Sequence, residues 1–171
     1  IVEDSEDDTL LIMHELKRGG YDPTYERVDT SEAMNAALDC QVWDIIISDH
    51  SMPHFNSFNA LDVLKKRGLD LPFLLVSGTI DEEMAVSAMK AGVHDYIMKG
   101  NLKRLIPAVA RELRDAVVRQ DRKRKEEALR ESEKRYRQVI ENATEIIYSL
   151  NAKGNLTYGN PAGLKVTGFS L

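Results

Sequence analysis

The amino-acid sequence predicts an α/β fold: a doubly wound, five-stranded parallel sheet with an extended C-terminal helix and a partial α+β segment. Strand and helix patterns alternate five times over residues 1–99, and the strongest strands, Ile45–Ile47 and Leu71–Val76, are apolar without alternation. Such strands are buried on both faces, as in a parallel sheet with helices on both sides. After Leu102 no strong stop signal appears for about forty residues, which predicts one helix over 102 to about 140.

Local signals mark the first elements of the chain. Ile1-Val2 has the pattern of a strand end, and Ser5, with acids around it, resembles the cap of a helix. That helix ends at Gly19-Gly20. The residues predicted to face the core from it are Leu10, Leu11, Met13 and His14. A weak second strand spans Thr24 to Val28, and a helix to about Leu38 follows it.

The stretch from Asp44 to Pro53 is the centre of the pattern. Its isoleucine run ends at Ser48 and Asp49, so a carboxylate stands where a buried strand leaves the core. In open α/β sheets, ligands bind beyond the carboxyl ends of the strands. A single acid after a strand is more often a helix cap or a loop acid, so the interpretation of Asp49 depends on the other strand ends.

The second half of the sheet repeats the alternation. A helix over Ser57–Arg67 precedes the strand that ends at Ser77, and a helix over Asp81–Ala91 precedes a short strand from His94 to Met98. Because the carboxyl ends of parallel strands lie along one edge of a sheet, we expect the polar groups at these ends to meet. They are Glu3, Asp4, Asp49, Ser77 and Lys99.

The long helix has two parts. The first carries an apolar stripe that we expect to pack on the sheet or on a partner, formed by Leu105, Ile106, Val109, Leu113, Ala116 and Val117. From Arg119 to Arg137 almost every residue is charged, which favours a solvated helix over a nucleic-acid site. Its i,i+4 pairs are Glu126–Arg130, Glu131–Arg135 and Glu133–Arg137. The apolar seam is too broken for a strong coiled coil, and a loose parallel homodimer is left open.

Composition limits the functional classes. The 171 residues include 23 Lys and Arg and 28 Asp and Glu, and the formal net charge of −5 gives no general reason to expect nucleic-acid binding. A single cysteine, Cys40, excludes an internal disulfide and suits a reducing compartment. No apolar run approaches the ~20 residues of a membrane span. We expect a cytoplasmic protein with no membrane or nucleic-acid partner in this segment, which we interpret as part of a longer chain.

The acids at the predicted sheet edge indicate metal-assisted chemistry. Glu3, Asp4 and Asp49 would repel one another unless a cation lies among them. Oxygen ligands of this kind select Mg²⁺ over softer metals, and Lys99 supplies a second positive charge. Such a site suits phosphoryl transfer in which Asp49 is the nucleophile and forms an aspartyl phosphate. Ser77 can donate a hydrogen bond to a phosphoryl oxygen, and Lys99 can pair with it.

These motifs resemble the response regulator receiver (CheY-like) family, whose fold is flavodoxin-like, over residues 1 to about 118. The matching elements are Glu3-Asp4, Ser48-Asp49-His50-Ser51-Met52-Pro53, Val76-Ser77-Gly78 and Tyr96-Ile97-Met98-Lys99. The resemblance implies that Asp49 accepts a phosphoryl group from a histidine kinase or a phosphotransfer protein. It also implies that Mg²⁺ is held by Asp4, Glu3, Asp49 and the Ser51 carbonyl.

The resemblance also assigns a switch. Ser77 and Lys99 would contact the phosphoryl group, and Tyr96 would turn inward when Ser77 engages it. A receiver of this kind is a switch rather than an enzyme, because it catalyses only its own phosphorylation and dephosphorylation, with Asp49 and Lys99 as the catalytic residues. The effector of a longer parent protein, a hybrid histidine kinase or another enzyme, is left open.

Gly100 departs from the family pattern, which usually has proline after the lysine. A cis bond before a non-proline residue costs about 2.5–4 kcal/mol, against about 0.5–1 before proline. We therefore predict a trans Lys99–Gly100 peptide.

Two residues near the site bear on the lifetime of a phosphoryl group. Ser51 and Thr79 carry neither a carboxylate nor an amide to hold a hydrolytic water. We expect slow self-dephosphorylation, which Ser51→Asn or Thr79→Glu would speed.

The tail from about Glu133 resembles the start of a PAS sensor domain. The matching residues are Tyr136–Ala143, Ile146–Leu150, Gly154 and Asn160-Pro161-Ala162. Here Glu145–Leu150 and Asn155–Tyr158 are predicted to form a hairpin, and Pro161 opens a short helix. The predicted segments are a receiver domain at 1–118, a charged helical linker at 119–132 and the truncated N-terminal part of a PAS-like domain at 133–171.

Other functions fit the sequence less well. A flavodoxin-like cofactor binder needs a phosphate loop rich in small residues, and the loop from Glu3 to Asp8 is acidic. A haloacid dehalogenase-type phosphatase places its nucleophile after the first strand rather than the third. A histidine-kinase donor role is disfavoured because residues 102–142 contain no histidine. A phosphorylation-independent pseudo-receiver, used for docking or dimerisation, is the remaining alternative, although no site acid or lysine is lost.

The side chains outside these motifs are given ordinary roles. The residues interpreted as surface or loop histidines are His14, His50, His54 and His94, and those interpreted as core are Phe55 and Phe58.

Overall fold

A computed structural model of the chain describes residues 1–78 and 82–167. Thr79 and the expected helix start at Asp81 lie outside these residues. The chain divides into two compact units, Ile1–Arg119 and Gln120–Leu171. In chain order the elements are α1 (Glu6–Arg18), α2 (Ser31–Cys40), β1 (Ile46–Asp49), α3 (Ser57–Arg67), β2 (Phe73–Ser77), α4 (Glu82–Ala91), β3 (Asp95–Met98), a 3₁₀ helix (Lys99–Arg104), α5 (Leu105–Glu141), β4 (Tyr148–Leu150), β5 (Leu156–Gly159) and α6 (Pro161–Thr167).

The first unit is built on a parallel sheet with the order β1-β2-β3. In β2, Phe73 and Leu75 pack in one hydrophobic cluster, whereas Leu74 and Val76 pack in another. The first cluster includes residues of α2, α3 and α4, and the second includes residues of α1 and α5. Helices therefore cover both faces, and the doubly wound arrangement predicted from the non-alternating strands is confirmed.

The prediction of five full parallel strands needs correction, because the described residues of the first unit form three parallel strands, β1 to β3, and two isolated bridges. Val2 pairs in parallel with Val28 on one side and with Ser48 on the other. The Val2 N–H donates to the Ile47 carbonyl at 2.8 Å, and the Asp49 N–H donates to the Val2 carbonyl at 2.8 Å. The segment Tyr25–Arg27 is exposed, so it buries little apolar surface that could extend the pairing of Val28.

The first helix faces the core with a different stripe from the one predicted. Its buried residues are Thr9, Ile12, Met13, Glu15 and Leu16. Leu10, Leu11 and His14 are exposed. Positions 9, 12, 13 and 16 follow the i, i+3, i+4, i+7 spacing of one helix face, and Leu10 and Leu11 flank that face. The assignment of Met13 is confirmed, and the other three assignments are wrong.

Side chains cap the starts of three helices, and the cap predicted at Ser5 is confirmed. Ser5 caps α1, and its Oγ accepts a hydrogen bond from the Asp8 N–H at 3.2 Å. Thr30 caps α2, and Asn56 caps α3. Gly68 ends α3 at φ 65°, a left-handed conformation that glycine adopts without a Cβ penalty.

One long helix follows the sheet, as predicted, although α5 begins at Leu105 after a 3₁₀ turn rather than at 102. Of the predicted ion pairs, Glu131 with Arg135 forms at 3.4 Å, whereas Glu126 pairs with Arg122 at 2.8 Å. Residues 120–139 are exposed on every side of the helix. Among the described residues, no helix combines the length and apolar character needed to cross a membrane.

The second unit contains an antiparallel hairpin, β4–β5, and the short helix α6. Asn160 is fully buried and links these parts. Its Oδ1 accepts hydrogen bonds from the Ile147 N–H at 3.0 Å and the Gly163 N–H at 3.1 Å. Its Nδ2 donates to the carbonyls of Ile140 at 3.2 Å and Glu145 at 2.8 Å. One side chain thus satisfies backbone groups of the helix, the hairpin and the cap of α6.

Candidate functional site

Three carboxylates meet at the carboxyl edge of the sheet. Asp49 is the last residue of β1, and Glu3 and Asp4 follow the bridging residue Val2. One oxygen atom from each of the three lies within 4.8 Å of the other two. Glu3 is 1% exposed and Asp49 is 7% exposed, whereas Asp4 is open to solvent. A set of hard carboxylate oxygens with one solvent-facing member fits Mg²⁺, which retains several waters when it binds protein.

Lys99 supplies the positive charge of this cluster. Its Nζ donates to Asp8 Oδ2 at 2.6 Å and to Glu3 Oε2 at 3.1 Å, and it lies 3.5 Å from Asp49 Oδ1. Lys99 directly follows β3, so its ammonium reaches the acids from the same sheet edge. The prediction that strand ends bring Lys99 to the acids is therefore met in the structure.

Burial and hydrogen bonding have opposite effects on the pKa values of Glu3 and Lys99. Burial raises the pKa of Glu3, although the Ser5 N–H and the Lys99 ammonium, both hydrogen-bonded to it, act to lower that pKa. Burial also acts to lower the pKa of Lys99, but the hydrogen bonds to Asp8 and Glu3 and the charge of Asp49 outweigh it, so this pKa is raised. The ammonium is held in its charged form by the carboxylates around it.

The loop after Asp49 is anchored by its first residue. The His50 N–H donates to Asp49 Oδ1 at 2.8 Å, and His50 Nδ1 lies 2.9 Å from the hydroxyl of buried Ser57. The His50 ring also meets Phe58 edge to face at a centroid distance of 5.8 Å. Ser51 is exposed in this loop. His50 thus ties the loop to α3, which the sequence interpretation of an ordinary loop histidine missed.

The two predicted switch residues lie on neighbouring strands. Ser77 ends β2, is 1% exposed and pairs in register with Met98. Tyr96 is half-buried in β3 and packs against the cluster that contains Leu75. Thr79 lies outside the described residues, so the expected lifetime of the phosphoryl group stays a prediction. The Lys99–Gly100 peptide is trans, as predicted.

Asp8 is a site residue that the sequence interpretation missed. The sequence pattern predicts Asp8 only as one of the acids around the helix cap at Ser5, yet Asp8 gives the shortest contact of Lys99. The available signal was spacing: Asp8 follows Asp4 by four residues and lies in the first turn of α1, at the same sheet edge.

His94 also differs from its predicted role as a surface histidine. It is half-buried, and its Nδ1 accepts a hydrogen bond from the Phe73 N–H at 3.2 Å. Its Nε2 lies 3.4 Å from Arg119 Nη2, and Arg119 also pairs with Asp70 at 3.3 Å. Burial and the Arg119 charge lower the pKa of His94. His14 and His54 are exposed, so their interpretation as surface histidines is confirmed, and the competing core-facing position of His14 in α1 is wrong. Phe55 is buried in the core, and Phe58 is partly buried beside it.

A cleft of about 510 Å³ lies at the other end of the sheet, lined by residues that include Tyr21, Trp43 and Leu113. Trp43 precedes β1, whereas Asp49 ends it. The cleft is therefore separate from the carboxylate cluster.

Comparisons with known proteins agree with this geometry. A family model, the response regulator receiver domain, matches residues 1–110. The response regulator protein FleR of Pseudomonas aeruginosa is 33% identical over 112 residues, which are 66% of this chain and 20% of FleR. The chemotaxis protein CheY1 of Helicobacter pylori is 31% identical over an alignment of 107 residues, which covers 58% of this chain and 82% of CheY1.

A solved structure supports the fold. The receiver domain of the Francisella response regulator 1452 superposes with a TM-score of 0.58 at 21% identity, covering 67% of this chain and 93% of that domain. The chain thus spans most of the single-domain relatives and a fifth of FleR.

Proposed function

The chain belongs to the response regulator receiver domain family of two-component signalling, and on that premise we propose that Asp49 accepts a phosphoryl group from a histidine kinase or a phosphotransfer protein. The observation that carries the proposal is the position of Asp49. It ends a buried strand, two further carboxylates have oxygens within 4.8 Å, and an ammonium lies 3.5 Å away. A carboxylate in that setting can attack phosphorus while nearby cations neutralise the developing charge.

The transfer itself needs few protein groups. An Asp49 carboxylate oxygen attacks the phosphorus of a phosphohistidine, a new O–P bond forms, and the P–N bond breaks. The imidazole of the donor leaves with the electron pair of that bond and takes up a proton. Lys99 would pair with a phosphoryl oxygen as a point charge, and the Ser77 hydroxyl would donate a hydrogen bond to another.

Glu3, Asp4 and Asp49, with the Ser51 carbonyl, are the groups that would hold Mg²⁺. When bound, Mg²⁺ would offset the charge that the incoming phosphoryl group adds to these acids. The carboxylate oxygens and the exposure of Asp4 support this assignment.

The phosphorylated state would act through Ser77 and Tyr96 on the rest of the chain. Engagement of Ser77 would draw Tyr96 inward on the neighbouring strand, and α5 would relay the change to the following segment. The hairpin and the buried Asn160 support a PAS-like interpretation of residues 133–171, after a receiver at 1–118 and a helical linker at 119–132. A loose homodimer through α5 and a cytoplasmic location complete the proposal.

Mass measurement tests the proposal directly. The native protein, incubated with Mg²⁺ and acetyl phosphate, should gain the mass of one phosphoryl group, and Asp49→Ala should gain none. A Glu6→Ala variant, which changes an exposed acid of α1, is the matched control and should label like the native chain. Equal labelling of the native protein and Asp49→Ala would overturn the assignment. Absence of labelling in a folded native protein would favour the docking module instead.

A further inference from the structure

The closest hydrogen bond of the Lys99 ammonium is to Asp8, a residue with no role in the proposed phosphorylation. Its shortest contact is Asp8 Oδ2 at 2.6 Å, followed by Glu3 Oε2 at 3.1 Å, whereas Asp49 Oδ1 is 3.5 Å away. The first two distances are those of charge-assisted hydrogen bonds, and the third is an ion pair without a good hydrogen bond. In this state Lys99 is therefore directed toward Asp8 rather than toward Asp49.

The position of Asp8 is fixed by the start of α1. Its backbone N–H donates to the capping hydroxyl of Ser5 at 3.2 Å, and its carboxylate lies in the first helical turn, where the helix dipole favours a negative charge. The side chain of Asp8 is 36% exposed, against 9% for Asp49 and 1% for Glu3. Asp8 is thus the acid from which Lys99 can separate at the lowest desolvation cost.

A phosphoryl group on Asp49 would compete for the same ammonium. An ammonium has three donors, and two of them already reach Asp8 and Glu3. A dianionic phosphoryl group beside Asp49 offers a stronger acceptor, and movement of Lys99 toward it would break the contact with Asp8.

We infer that Asp8 is a positioning residue that holds Lys99 away from the phosphoryl site in the unphosphorylated receiver. It thereby lowers the affinity of the site for a phosphoryl group. The inference rests on the proposed function. A ligand shifts a two-state equilibrium only through its differential affinity, and the Asp8–Lys99 pair stabilises the unphosphorylated state alone. Removing the charge of Asp8 should therefore favour the phosphorylated state.

The test uses the full chain and the variant Asp8→Asn. Beryllofluoride, a phosphoryl mimic, is titrated at saturating Mg²⁺ by calorimetry, and steady-state labelling with acetyl phosphate is measured by intact mass. We expect Asp8→Asn to bind beryllofluoride about two- to fivefold more tightly. This change in affinity corresponds to the free energy of a partly exposed ion pair. Labelling should remain at one phosphoryl group and reach a higher fraction.

Three controls separate this role from a structural one. Asp7→Asn removes the same charge from the same helical turn, at an exposed residue with no ion pair among the described residues, and should leave the affinity unchanged. Asp8→Glu keeps the charge and should restore the native affinity. In a Lys99→Met background, Asp8→Asn should lose its effect, because the two residues act through one contact.

The outcomes distinguish the two proposals. A native chain that gains no phosphoryl group would overturn the proposed function itself. A native chain that is labelled at Asp49, with an Asp8→Asn variant that binds beryllofluoride equally or more weakly, would overturn only the role of Asp8.

Discussion

At the scale of single residues, burial decides how the charged groups behave. Glu3 is almost completely buried, yet it keeps hydrogen bonds from the Ser5 N–H and the Lys99 ammonium. Those bonds offset part of the cost of burying a carboxylate, and its pKa is raised because burial is the larger effect. Burial therefore disfavours the ionised form of Glu3, and a cation bound beside it would favour that form.

His94 gives a pH-dependent prediction at this scale. Its pKa lies below the ordinary 6.5, with burial as the main cause and the charge of Arg119 as the second. At a pH between the pKa of His94 in the folded chain and the ordinary value in the unfolded chain, the unfolded chain binds more protons than the folded chain. The free energy of unfolding therefore rises with pH and falls on acidification through 6.5. The contribution stays below about 1.4 kcal/mol per pH unit, the limit for one proton.

The measurement is denaturant unfolding from pH 5 to 8. His94→Asn keeps an acceptor for the Phe73 N–H without a titrating ring, so the stability of this variant should depend less steeply on pH near 6. His14→Asn replaces a histidine whose side chain is 72% exposed and should leave the slope as it is. An unchanged slope in His94→Asn would contradict the prediction.

At the scale of elements, α5 combines two kinds of helix. Its first half packs Leu105 and Val109 in the cluster that contains Leu74 and Val76 of the sheet, whereas residues 120–139 are exposed on all sides. An exposed helix depends on propensity and on i,i+4 ion pairs worth about 0.3–0.5 kcal/mol each. The pairs Asp121–Lys125, Arg122–Glu126 and Glu131–Arg135 supply that support.

Arg124→Pro tests this division of α5. A proline in a helix interior costs about 3 kcal/mol or more, and few contacts of the exposed part can offset it. We expect a clear loss of helical circular dichroism with no change in Asp49 labelling, because the site residues lie in the unit 1–119. Arg124→Ala should keep both signals. Loss of labelling in the proline variant would show that the exposed part of the helix supports the receiver fold.

At the scale of the whole molecule, residues 1–119 and the charged stretch that follows them differ in how readily they open to a protease. Residues 1–119 contain two packed core clusters. The charged stretch after Arg119 opens locally at low cost, because its backbone hydrogen bonds are not covered by packed side chains. Exposed lysines and arginines there are the natural sites of cleavage.

Limited trypsin digestion should therefore cut first between residues 119 and 135 and release a fragment close to 1–119. Mg²⁺ should slow the later degradation of that fragment, because a ligand that binds only the folded state stabilises it by about 2.7 kcal/mol at a concentration 100 times its Kd. It should leave the first cut unchanged. Mass spectrometry of the fragments gives the order of cuts, and first cuts inside 1–119 would contradict the prediction.

The sequence by itself determined the order of elements, the burial of both sheet faces and the meeting of Glu3, Asp4, Asp49 and Lys99. Each of these follows from a local pattern: an apolar run without alternation, a capping residue, a glycine stop, or a polar group directly after a strand. Parallel strands carry such groups to one edge, so the local pattern also fixed where they meet.

Only the tertiary structure decided which side chains pair. Leu10 and Leu11 are as apolar as Ile12 and Leu16, which α1 buries, so the buried face depended on how the helix docks. Asp8 contacts Lys99 across 91 positions, and Arg119 contacts His94 across 25. Ion pairs and burial depend on distances of a few ångströms between distant segments, and a one-dimensional pattern does not carry those distances.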